Sequence, residues 1–170
     1  GGNAPFLIFE DADLGAAVDG AMLAKFRNIG QACTAANRFI VHEAVADEFA
    51  ARVTERVQAF KVGRGTEENV QIGPLINDDA VQKADSLVRD ATERGAKVLT
   101  GGHPIDRPGT FYEPTVVTGV RPGSDILREE IFGPVLSIVT FGDEDEAVRI
   151  ANDTEYGLIS YAYTKDLARG

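Results

Sequence analysis

Apolar and polar positions along the chain repeat with two different periods. Six short runs rich in β-branched and aromatic residues, at 5–9, 39–42, 97–100, 115–118, 135–141 and 158–163, have the length and content of strands. The stretches between them repeat at helical spacing. Val45, Phe49, Val53, Val57 and Phe60 lay one apolar stripe along a helix and leave Glu48, Arg52, Glu55 and Arg56 on its other sides. Val81, Ala84, Val88 and Ala91 form a second stripe, with Asn77 placed to cap its start and Gly95 to end it in the left-handed conformation. Asp13 and Asp143 mark two further helix starts, the latter with Glu146 three residues on in capping-box spacing.

Strands that alternate with helices pair in parallel through right-handed crossovers. The pattern therefore predicts an α/β fold, an open and mostly parallel sheet with helices on both faces. In such sheets functional sites gather at the strand ends. The chain has 170 residues and no repeat, low-complexity tract or Pro/Ser-rich linker, so residues 1–170 are expected to form one domain.

Charge and composition narrow the partners. A formal net charge of −10 and the lack of a basic stripe argue against nucleic acid, whose binding depends on Lys and Arg displacing counterions. No apolar run is long enough to span a bilayer, and a small molecule is the expected partner. The chain has a single cysteine and no basic-then-apolar leader at residue 1, which points to a reducing cytoplasm. His42 and His103 lie far apart with no acidic or cysteine partner at ligand spacing, so no metal site is expected. Gly63-Arg64-Gly65 and Gly101-Gly102 lack a P-loop lysine and a dinucleotide fingerprint and read as turns.

The single cysteine is Cys33, in the run Phe26-Arg27-Asn28-Ile29-Gly30-Gln31-Ala32-Cys33-Thr34. The preceding helix should stop near Gly30, and residues 34–37 are read as a short helical turn before the next strand. That places the thiol near a helix N-terminus, where free N–H groups favour a thiolate and can donate to an oxyanion. By composition alone a lone cysteine reads rather as a small apolar filler.

Two motifs give the thiol a chemistry. Gly30-Gln31-Ala32-Cys33, followed by Asn37-Arg38, resembles the active-site cysteine motif of the aldehyde dehydrogenase superfamily, and Glu129-Glu130-Ile131-Phe132-Gly133-Pro134-Val135 resembles its second signature. Gly1-Gly2-Asn3-Ala4-Pro5, Ile72-Gly73-Pro74-Leu75 and Asn152-Asp153-Thr154-Glu155-Tyr156-Gly157-Leu158 match further landmarks, so the resemblance covers essentially the whole chain. It implies the Rossmann-like catalytic domain of that family, an aldehyde substrate, NAD or NADP as cofactor, and a parent enzyme that is a homo-oligomer, dimer or tetramer. Cys33 is then the nucleophile that carries a thiohemiacetal and a thioester. Glu130 binds the nicotinamide-ribose hydroxyls, and Phe132 packs beside the ribose and nicotinamide. Without the resemblance, Glu129 and Glu130 read as solvated loop charges and Phe132 as a core residue.

Arg27, six residues before the thiol, reads by spacing alone as a cation at a helix C-terminus. The stretch Phe-Arg-Asn-x-Gly-Gln-x-Cys is most similar to the succinate-semialdehyde dehydrogenase branch, and that likeness makes Arg27 the substrate-binding residue for a distal carboxylate, which a guanidinium grips with two parallel hydrogen bonds. Lys83 reads as a solvated helix-face cation. Some members of the branch carry a second cysteine where this chain has Ala35, so a disulfide switch at that place is not expected. In the family, the general-base glutamate immediately precedes Leu-Gly-Gly, and an asparagine side chain completes the oxyanion hole. Neither has a counterpart among residues 1–170, which are expected to be a fragment that turns over little or nothing by itself. A non-catalytic interaction module is the other reading.

Overall fold

The structure, a computed structural model, describes all residues from Gly1 to Gly170. Six strands form one sheet: β1 (Ala4–Ile8), β2 (Ala36–His42), β3 (Lys97–Thr100), β4 (Thr115–Thr118), β5 (Val135–Phe141) and β6 (Tyr161–Tyr163). Their order across the sheet is β3-β4-β5-β2-β1-β6. Every neighbouring pair is parallel except β3 and β4, so the expected parallel sheet carries one antiparallel edge strand. The central strands are buried on both faces, and accordingly β2 and β5 read as near-continuous apolar runs.

The helices start where side chains satisfy their first N–H groups. α1 (Leu14–Phe26) is capped by Asp13 accepting from Ala16, α3 (Asp78–Glu93) by Asn77 accepting from Ala80, and α5 (Glu144–Asn152) by Asp143 accepting from Glu146. His42 caps α2 (Glu43–Gln58) through Nδ1, a role that gives this histidine a structural use. A single helical turn, α4 (Asp125–Arg128), which the periodicity did not reveal, precedes the Glu129–Pro134 loop. Gly95 ends α3 at φ +100°, in the region glycine adopts at least cost.

Two apolar clusters lie on the two faces of the sheet. On one face, α1 and α2 pack through Val18, Met22, Phe49 and Val53 against Phe6, Phe39 and Val41. On the other, α3, α4 and α5 pack through Leu87, Val88, Ile126 and Ala147 against Leu7, Ile40 and Val139. Val45 and Phe60, at the ends of the predicted α2 stripe, are only partly buried. Three strands differ in their limits from those read in the sequence, β1 lying one residue earlier at each end than the run 5–9. β2 begins at Ala36 because Ala36 and Arg38 already pair with β1, and β6 begins only at Tyr161, where pairing with Phe6 starts.

Candidate active site

The amino ends of β1, β2, β5 and β6 converge on one edge of the sheet, and the sequence motifs lie in the segments that lead into them. Cys33 precedes β2, Gly2 precedes β1, Glu130 and Phe132 precede β5, and residues 156–159 precede β6. The candidate site is therefore at the strand ends as expected, but at the amino ends and not at the carboxyl ends where open α/β sheets usually bind ligands.

α1 does not run cleanly into the cysteine. It passes into a 3₁₀ turn at Arg27–Gly30 in which Asn28, Ile29 and Gly30 have φ of +52°, +64° and +76°. A β-branched residue in that region is strained. The turn is held by the Asn28 side chain donating to the Gln31 carbonyl, and by Gln31 Oε1 accepting from the N–H of Ile76 at 3.0 Å. Cys33 then occupies a tight turn closed by the N–H of Ala35 donating to the Ala32 carbonyl at 3.0 Å. The helical turn expected over residues 34–37 does not form: β2 takes those backbone groups from Ala36 onward, so no helix N-terminus faces the thiol. What the turn provides is exposure. Cys33 is solvent-exposed, so it is not a buried filler, and its backbone N–H has no partner within the chain. Tyr161 holds the far side of the turn, its hydroxyl donating to the Thr34 carbonyl at 2.9 Å.

Gly2 joins Cys33 to the second motif. A Cβ at Gly2 would overlap the Cys33 carbonyl oxygen, so the two backbones are in contact only because Gly2 has no side chain. The Gly2 N–H donates to Glu130 Oε1 at 2.8 Å. Glu130 is half-buried, and its other oxygen, Oε2, takes no donor from the chain, which leaves an acceptor of the kind a sugar hydroxyl fits. Beside it, Phe132 sits at φ +53° and is 36% exposed, an unusual conformation that turns the ring outward while Ile131 is buried. Lys83 lies 3.7 Å from Glu129, both side chains being well exposed.

Arg27 is exposed; its backbone N–H donates to the Leu23 carbonyl at the end of α1, and its guanidinium makes no hydrogen bond or ion pair within the chain. It lines a cleft of about 270 Å³ with Leu23, Ala24, Thr34 and Tyr161. Ala32 and Thr34, the residues on either side of Cys33, reach the same cleft, whereas Cys33 itself lines a separate cavity of about 20 Å³ with Asn3, Tyr156 and Leu158. The two predicted residues thus flank one turn without sharing a cavity.

Sequence reading missed Lys25. It belongs to the buried stripe Val18-Ala21-Met22-Lys25 of α1 and is fully buried, with Nζ donating to Asn37 Oδ1 at 2.9 Å. Burial pushes its ammonium down to about 7, against the opposing pull of the Glu130 carboxylate. The available signal was a lysine at an inward position of an otherwise apolar helix.

The sheet order, the exposed thiol turn and the loop that reaches it define an aldehyde dehydrogenase architecture, and the chain belongs to that family: the Aldehyde dehydrogenase family model matches residues 1–170. Among its relatives, a probable NADP(+)-dependent succinate-semialdehyde dehydrogenase of Sinorhizobium fredii is 52% identical over 99% of this chain and 34% of that protein. A glutarate-semialdehyde dehydrogenase of Pseudomonas aeruginosa is 46% identical over 99% of this chain and 35% of its own length. The crystal structure of a succinate-semialdehyde dehydrogenase from Burkholderia pseudomallei superposes with a TM-score of 0.97 at 51% identity, covering 99% of this chain and 35% of that one. The chain spans about a third of the length of these relatives. No helix in it is long and apolar enough to cross a membrane.

Proposed function

We propose that residues 1–170 are one catalytic domain of an NAD(P)-dependent aldehyde dehydrogenase that oxidises succinate semialdehyde to succinate, with Cys33 as nucleophile. The observation that carries the reading is the contact of two motifs distant in sequence: an exposed cysteine turn and the Glu130–Phe132 loop, joined through Gly2.

In the proposed reaction the Cys33 thiolate adds to the aldehyde carbon. A C–S bond forms as the carbonyl π pair moves to oxygen, and the unpartnered Cys33 N–H is available to that oxyanion. When bound, a nicotinamide dinucleotide would supply the acceptor for the hydride whose loss from the former aldehyde carbon lets the oxyanion pair re-form C=O and leaves a thioester on Cys33, and the NADP(+) in the name of the Sinorhizobium relative favours NADP. Glu130 offers Oε2 to the ribose hydroxyls, and Phe132 offers its exposed ring beside them. Water then attacks the Cys33 thioester; the C–O bond forms, the C–S bond breaks, and the thiolate leaves. The Arg27 guanidinium, with no partner of its own, is assigned to the distal carboxylate of the substrate. A reducing cytoplasm suits an exposed thiol of this kind, and the complete enzyme is proposed to be a homo-oligomer.

The 46% relative acts, by its name, on a semialdehyde one methylene longer, which makes glutarate semialdehyde the competing substrate. A single methylene changes specificity by about 10- to 200-fold, so kcat/KM for the two separates the readings. The decisive experiment places these 170 residues in a family-length enzyme and compares it with Cys33→Ala. Oxidation of succinate semialdehyde should fall by at least about 1,000-fold. Undiminished activity overturns the mechanism.

A further inference from the structure

Lys25 is difficult to explain as packing. A wholly buried ammonium is costly, and an apolar side chain would fill the space between α1 and β2 without that cost. Its single hydrogen bond goes to Asn37 Oδ1, so its other donors have no protein partner. Asn37 is itself specially placed. β1 and β2 slip register by one residue, Ala4 facing Ala36 while Pro5 faces Arg38, and Asn37 is the extra residue of that bulge. Bulges re-aim a side chain at a chosen point of a sheet. Here the bulged residue sits between Lys25 and the segment that leads into β1. Asn37 Nδ2 approaches the Gly2 carbonyl oxygen at 3.4 Å, and its own carbonyl accepts from Ser137 Oγ at 2.7 Å, which fixes it to β5 as well.

Gly2 is therefore held on both of its backbone polar groups, by Asn37 at the carbonyl and by Glu130 at the N–H. We propose that Lys25 is a positioning residue for the cofactor carboxylate: through Asn37 it fixes the Gly2 backbone, and Gly2 in turn fixes the rotamer of Glu130. Resting on the assignment of Glu130 to the cofactor ribose, this gives a fully buried side chain on α1 a role in cofactor affinity. Glu130 is also the carboxylate whose charge favours the Lys25 ammonium against the cost of burial, so the two groups are coupled electrostatically as well as through Asn37 and Gly2.

The test uses a family-length enzyme carrying these residues and measures KM for NADP, KM for the aldehyde, kcat and the melting temperature. Glu130→Gln should raise cofactor KM by about tenfold, the loss of one charge-assisted hydrogen bond. Lys25→Met should raise cofactor KM by about threefold to tenfold and leave aldehyde KM within about twofold. Added to Glu130→Gln, Lys25→Met should then change cofactor KM little, since both act through one carboxylate. The paired variant Lys25→Met/Asn37→Leu removes both members of the Lys25–Asn37 hydrogen bond and leaves only the Gly2 carbonyl without its side-chain donor, so it should recover part of the thermal stability lost by Lys25→Met while cofactor KM stays raised. This variant also serves if Lys25→Met alone does not fold. If cofactor KM returns to normal together with stability, or never moves while Glu130→Gln raises it, Lys25 is structural and the inference is overturned. If Glu130→Gln leaves cofactor KM unchanged, the ribose assignment fails and the role of Lys25 falls with it.

Discussion

Gly30 and Gly133 meet backbone against backbone. A Cβ on Gly30 would overlap the carbonyl oxygen of Gly133, and Gly30 also stands at φ +76°. Two segments about a hundred residues apart, one ending in the thiol and the other launching β5, can approach this closely only because position 30 has no side chain.

Gly30→Ala should therefore destabilise the protein by more than about 2 kcal/mol, combining a left-handed non-glycine backbone with overpacking. Gly65, whose Cβ would meet nothing within 4 Å, provides the control. Gly65→Ala should change stability by less than about 1 kcal/mol. Urea unfolding of the two variants checks the pair; equal effects would mean that the Gly30–Gly133 contact does not constrain the fold.

Arg27→Ala in a family-length enzyme should raise KM for succinate semialdehyde by about 10- to 100-fold, since a hydrogen bond between charged groups contributes about 1.5–3 kcal/mol. For an uncharged aldehyde of similar length the change should stay within about threefold, because no carboxylate is lost. Steady-state kinetics on both substrates separates a carboxylate contact from a general disturbance of the turn. Equal changes would remove Arg27 from the substrate site.

The buried position of Lys25 predicts a pH signature in stability. Its folded-state pKa lies at about 7 against an ordinary 10.5, so between these values the unfolded chain holds a proton that the folded chain has lost. Stability then rises with pH through that window, by up to about 1.4 kcal/mol per pH unit from this group. Below pH 7 both states are protonated, and the contribution is constant. Denaturation midpoints of the wild type and Lys25→Met should accordingly diverge in favour of the wild type from pH 7 toward pH 10. A constant difference across that range would show that Lys25 titrates where an exposed lysine does.

The 170 residues purified by themselves should reduce NAD(P) little or not at all with succinate semialdehyde. These residues span about a third of the length of the dehydrogenases they match, and a site that binds the dinucleotide and activates water for the thioester is expected to need the rest of that length. Absorbance at the reduced-nicotinamide band measures this directly, and sustained turnover would contradict it.

Much of this molecule is legible along the chain because its signals are local. The strand runs, the stripe Phe49-Val53-Val57 and the caps Asp13, Asn77 and Asp143 act over a few residues, and side-chain period and hydrogen bonding within one turn determine them. The same holds for the motifs around Cys33 and Glu130, whose residue types and spacing carry the family likeness. Other features needed the third dimension. That residues 34–36 lead into a strand and not a helical turn follows from pairing with β1, a partner about thirty residues away. That Lys25 is fully buried and reaches Glu130 through Asn37 and Gly2 depends on a register slip between two strands, which no pattern in either strand records. The sequence by itself determined the elements and the candidate chemistry, since these depend on near neighbours. Tertiary structure alone decided that the candidate motifs meet at the amino ends of four strands, because only long-range pairing and backbone contact bring those ends together.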